Sequence, residues 1–146
     1  MMEQPNAIMA QPTSFAQQIG ESAIAFERRR TGHNPQSVTV VLSESTIVIT
    51  VHGALSPAEK ALAKSAGGAA RLQEFHRQLF KNDADSLLQA IKSITGVEVC
   101  EAVVEVDPTI DTAHKTCTTG NLIQVFLLAG NVPPGTWSGC GPPDHH

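Results

Sequence analysis

The chain has 146 residues, a formal charge of −4 and 41% apolar residues, which suits one domain with a modest core. The mild acidity speaks against a general nucleic-acid binder, and no tyrosine with a single tryptophan leaves no aromatic platform for stacking bases. The apolar stretches are too short to span a bilayer, the N-terminus lacks the basic region and long apolar core of a secretory signal, and three cysteines without a CxxC pair argue against a disulfide framework and for a reducing cytoplasm.

Residues 1–11 are polar and read as a disordered N-terminus; the single domain spans 12–130. Phe15, Ile19, Ala23 and Phe26 recur at helical spacing, which predicts a helix from Thr13 to Arg30 that Gly32 and Pro35 stop. The β-branched runs Ser37–Leu42 and Thr46–His52 predict two strands joined by a short turn at Ser43-Glu44-Ser45. A short helix is predicted from Pro57 to Ser65, and Gly67-Gly68 interrupts the helical pattern. Leu72, His76, Phe80, Ala84, Leu87, Ile91 and Ile94 keep one phase, so a single long helix is expected over 69–95, with Gly96 as its left-handed cap. Strands follow at Val97–Val106 and Asn121–Ala129, separated by a Thr-rich loop from Asp107 to Gly120. Proline and glycine dominate from Gly130 onward, and residues 131–146 read as a flexible tail.

The expected fold is α+β, in the order α-ββ-αα-ββ, with two antiparallel hairpins forming a four-stranded sheet covered by helices. Both faces of the last two strands are largely apolar, whereas a sheet wet on one side alternates apolar and polar residues. Something must cover the second face, either the first helix or another copy of the chain, and a homodimer is the expectation.

The sharpest motif is the junction Gly53-Ala54-Leu55-Ser56-Pro57-Ala58-Glu59-Lys60. Gly53 ends a strand, Ser56 is a good N-cap, Pro57 suits the first helical position, and Glu59 stands where a capping box needs it. The bland reading is a helix start and nothing more; the functional one is an anion held by the free N–H groups of that start. The stretch through Ala61-Leu62-Ala63 resembles the signature of a small bacterial family named for the C component of a sodium-translocating, membrane-potential-generating system. Gly32 and Pro35 resemble that family's lead into its first strand, with His33 and Asn34 replacing the usual pair. Arg77-Gln78-Leu79-Phe80 is similar to its helical Arg motif, Thr95-Gly96-Val97 to its turn, and Val125–Leu128 to its last strand; the likeness covers about residues 13–129. Under that resemblance Gly32, Pro35, Gly53, Leu55, Ser56, Pro57, Glu59, Lys60 and Arg77 are the motif positions where binding is sought.

Other candidates have simpler explanations. Arg28-Arg29-Arg30 could clamp an anion or a lipid headgroup, but cations also favour a helix C-terminus. Arg77 suits a surface ion pair with Glu74 or a loop carboxylate. His33, His52, His76 and His114 are scattered, His76 reads as a core-edge histidine, and neither these nor the terminal Cys140, Asp144, His145 and His146 make a metal centre the expectation. Cys117 carries no cue for a lowered pKa. No catalytic motif is present, so the chain is expected not to be an enzyme and to need no cofactor. Two readings remain. One, implied by the resemblance, is a cytoplasmic, non-enzymatic accessory component of a sodium and inorganic-carbon membrane system, docking on integral membrane subunits at the inner face of the membrane. The alternative is a small homodimeric anion-binding regulatory module.

Overall fold

A computed structural model describes residues 14–32, 35–106 and 120–140. In chain order these form α1 (Phe15–Thr31), β1 (Ser37–Ser43), β2 (Thr46–His52), α2 (Pro57–Lys64), α3 (Gly68–Asp83), α4 (Asp85–Thr95), β3 (Val99–Val106), β4 (Leu122–Leu128) and β5 (Gly135–Gly139). The expected α+β class holds. The sheet has five strands instead of four, all antiparallel, in the order β3-β4-β2-β1-β5.

The fifth strand corrects the reading of the residues from Gly130 onward as an unpacked tail. After β4 the chain rounds the β1–β2 turn, where the Val132 N–H donates to the Glu44 carbonyl (2.9 Å) and the Val132 side chain is buried. Glu44 itself adopts φ +56°. The chain then pairs with β1 from Val38↔Gly139 to Leu42↔Gly135. Trp137 faces inward onto α1, where a Cβ on Gly20 would lie 2.2 Å from its ring. Gly20 thus supplies the room that lets indole and helix touch. Five residues with glycine at both ends carry too little apolar alternation to read as a strand; the pairing comes from the free edge of β1 and the seat for the indole.

The predicted long helix is two. Ala84, at φ −71° and ψ −16°, separates α3 from α4. Asn82 and Asp83 disfavour a helix interior because their side chains compete for nearby backbone groups. The apolar stripe nevertheless crosses the break in phase, since Leu72, His76, Phe80, Ala84, Leu87 and Ile91 are all buried.

The core lies between the helices and one sheet face. Val38, Val40, Leu42, Ile47, Ile49, Val51, Val104, Leu122, Phe126 and Leu128 point into it and meet Ile19, Ala23 and Phe26 of α1 and Leu72 and Phe80 of α3. The rings of Phe26, Phe80 and Phe126 form a chain with 6.1 Å between successive centroids. Burial of this order, at about 25 cal/mol per Å² of apolar surface, is the main term holding helices to sheet. A bulge between Val99 and Glu101 shifts the register of β3, so Ala102, Val104 and Val106 face the helices.

Candidate functional site

The junction signature folds as its residues predict. Gly53 turns the chain at φ +67°, a conformation costly for any residue with a Cβ, and a Cβ there would also press on the Gln36 side chain at 2.6 Å. Its N–H donates to Asn121 Oδ1 (3.0 Å), and the N–H groups of Ala54 and Leu55 both donate to the Gly120 carbonyl (2.8 and 3.0 Å). Ala54 and Leu55 are buried, so the exit of β2 is fastened to the entry of β4. Ser56 then caps α2. Its Oγ accepts from the Glu59 N–H (3.1 Å), its own N–H donates to Glu59 Oε1 (2.8 Å), and Pro57 occupies the first turn. Lys60 lays its aliphatic stem over Gly120, where a Cβ would come within 2.7 Å of its Cε.

Glu59 does a second job. Its Oε2 lies 2.9 Å from His76 Nε2 on α3. Burial acts first on His76 and lowers its pKa below 6.5, outweighing the opposite pull of Glu59. Burial raises Glu59, but the Ser56 N–H, the His76 ring and the Ser56 hydroxyl together bring it below 4.5. At neutral pH the pair is therefore a neutral imidazole donating Nε2–H to a carboxylate. His76 Nδ1 is buried without a partner, so a second ring proton would have no acceptor.

This arrangement bears on the anion reading. At the start of α2 the Ser56 N–H is met by the Glu59 carboxylate and the Glu59 N–H by the Ser56 hydroxyl, and that carboxylate places a negative charge where an anion would bind. Gly32 and Pro35 belong to the same end of the sheet. Gly32 caps α1 at φ +85° with its N–H on the Arg28 carbonyl (2.8 Å), Pro35 is buried, and Gln36, next to Pro35, donates to the His52 carbonyl (2.9 Å) beside Gly53. The structure thus gathers Pro35, Gly53, Leu55, Ser56, Pro57, Glu59 and Lys60. It leaves Arg77 apart, on the exposed side of α3, paired with Glu74 at 2.7 Å with both side chains 53% exposed.

Three features escaped the sequence reading. Glu27 on α1 is 2% exposed and accepts from Gln124 Nε2 (3.0 Å) and Arg30 Nη2 (2.6 Å), while the Arg30 guanidinium sits 5.6 Å from the centre of the Phe26 ring. The arginine run is therefore divided: Arg28 and Arg29 are exposed, and the Arg30 side chain is enclosed. The available signal was phase, because Glu27 follows Ile19 and Ala23 at steps of four and Gln124 falls between the inward Leu122 and Phe126. Second, a cavity of about 280 Å³ is lined by Phe26, Arg29, Arg30, Asp83 and Ser86, with Arg29 Nη2 donating to Ser86 Oγ (3.0 Å). Third, the Gln73 amide donates to the Val104 carbonyl (3.0 Å) and accepts from the Val106 N–H (2.7 Å), closing part of the β3 edge to further strands.

Among the described residues no three His, Cys, Asp or Glu side chains converge on a metal position, and Cys100 and Cys140 are free and exposed. His33, Asn34, Asp107–Thr119 with His114 and Cys117, and the terminal Asp144, His145 and His146 lie outside the described residues. No helix among the described residues is long and apolar enough to cross a membrane. No curated protein and no solved structure matches the chain. A family model does match, over residues 12–119, well over half the chain, and the protein belongs to the family described as the Na+-translocating membrane potential-generating system (MpsC).

Proposed function

We propose that this chain is a soluble, non-enzymatic accessory component of a membrane system that handles sodium and inorganic carbon and supports membrane potential, docking on integral subunits from the cytoplasmic side. The family match over residues 12–119 is the observation that carries this reading. The signature helix supports it. α2 buries no residue and is held by its capping box, by His76 and by the tie to Gly120, so its exposed surface is free for contact. Leu62 on α2 is 36% exposed and Phe75 on α3 54%, and in this reading the layer that carries them meets the partner.

Copurification tests it. Tagged protein recovered from gently solubilised cells should bring integral membrane subunits in fixed ratio, and Phe75→Ser should lose them without lowering the melting temperature. Recovery of the chain alone would overturn the reading.

A second reading, an anion-binding regulatory module, is favoured by the Arg29–Arg30–Ser86 cavity and not by the helix start at Ser56. Bicarbonate and inorganic phosphate at millimolar concentration should then raise the melting temperature of the wild type and leave that of Arg29→Ala unmoved.

A further inference from the structure

The sheet face turned away from the helices is organised in rows that the pairing register specifies. The central row runs Val103–Val125–Val48–Val41–Thr136 across all five strands. It is flanked by Glu105–Ile123–Thr50–Thr39–Ser138 on one side and Glu101–Leu127–Thr46–Ser43 on the other. Among the described residues the helices pack on the opposite face, and Val103, Leu127 and Val41 stay 45%, 42% and 38% exposed. On β4, β2, β1 and β5 this outer face carries no Lys, Arg, Asp or Glu; its acidic residues are confined to the β3 edge. Hydroxyl side chains flank the central row on β1, β2 and β5, so the apolar surface is concentrated in the valines of that row and in Ile123 and Leu127 of β4.

We propose that this face is the contact between two copies of the chain, independently of any membrane role. The occupant follows from charge and area. A surface of Val, Thr and Ser that is uncharged away from its β3 edge is compatible with its own copy, and an isologous pair sets the same patch on both sides. An anionic lipid surface needs a basic rim, whereas among the described residues the charged edge of this face is acidic. Five strands about 4.8 Å apart and seven residues of about 3.3 Å each give roughly 550 Å² per copy, or about 1,100 Å² in all. That clears the roughly 1,000 Å² of a specific interface.

The charged edge also selects the symmetry. Two sheets packed face to face lie about 10 Å apart with strands aligned near −30°. A two-fold axis across the strands would set Glu101 of one copy against Glu105 of the other, which like charges oppose. An axis along the strands, through the central β2, sets the β3 edge over β5 of the second copy instead. There Glu105 lies over the Ser138 hydroxyl and Val103 over Thr136, away from any second carboxylate, and Val48 faces its own counterpart near the axis.

Sedimentation equilibrium of the full chain between 1 and about 100 μM tests this. The wild type should be a dimer. Val48→Glu places two carboxylates near the axis and should weaken association about 100-fold or more. Val41→Glu, at a position already open to solvent, serves should Val48→Glu fail to fold, and should give a monomer with unchanged far-UV circular dichroism. A wild type that stays monomeric throughout, or a folded Val41→Glu that remains dimeric, would overturn the proposal.

Discussion

α1 and α2 are attached to the rest of the fold by opposite means. α1 buries Ala16, Ile19, Gly20, Ala23, Ile24 and Phe26 and is held by packing, with the enclosed Glu27 bonded to Gln124 across the interface. α2 buries nothing and is held by directed bonds at its first turn: the Ser56–Glu59 box, the bond from His76 to Glu59, and the Gly120 carbonyl under the preceding turn. The difference shows where specificity resides. Packing gives α1 most of its free energy, while α2 contributes little to stability but is fixed in position. A surface element fixed without burial is suited to presenting a shape to something else.

Perturbing the two attachments separately should expose this contrast. The largest loss is expected at the packed side: Phe126→Ala removes the fully buried ring packed on Phe80 and should cost about 3–5 kcal/mol by chemical denaturation. Glu27→Ala strands the Arg30 guanidinium and should also cost about 3–5 kcal/mol, and pairing it with Arg30→Met should recover much of that. A loss under 1 kcal/mol in the single variant would mean the enclosed pair does not order the α1 interface. Gly20→Ala drives a methyl group into Trp137 and should cost about 1–3 kcal/mol, with a red shift of tryptophan emission as β5 lifts from α1. Unchanged emission would show that β5 does not depend on that seat.

On the α2 side the effects should be small. Ser56→Ala removes one half of the capping box and should cost about 1 kcal/mol while leaving recovery of membrane partners unchanged. Loss of partners at that modest cost would make the junction itself the contact.

Acid acts on the same attachment. The folded pKa of His76 lies below its unfolded value of 6.5, so its contribution is complete above pH 6.5 and is lost as the pH falls below it, when the unfolded chain takes a proton the folded chain refuses. Glu59, also lowered, loses its contribution below about pH 4.5. Stability should thus start to fall just under pH 6.5, and His76→Leu should remove that first slope while keeping the second. A slope that persists in His76→Leu would place the titration elsewhere.

Much of this was legible beforehand. The cap, proline and glutamate from Ser56 to Glu59 are local chemistry, and they fold as their spacing dictates. So do the β1–β2 hairpin and the phase of the stripe from Leu72 to Ile91. The polar core was less legible, because Glu27 and Gln124 sit 97 residues apart and each looks like an isolated polar residue on an apolar face. Only their meeting makes burial tolerable. Arg30 was hidden for the opposite reason: three arginines in a row look alike until the helix turns one of them inward.

What the sequence by itself determined is whatever depends on neighbours a few residues apart: helix caps, turns, strand alternation, and the motifs that placed the chain in its family. Tertiary structure decided the rest. It split the long helix at Ala84, made a strand of Gly135–Gly139, drew His76 to Glu59, and left one valine-rich sheet face outside the core. Those outcomes depend on which surfaces meet after the chain has closed long loops, and free edges, seats and unpaired polar groups acquire an energy only once a distant partner arrives.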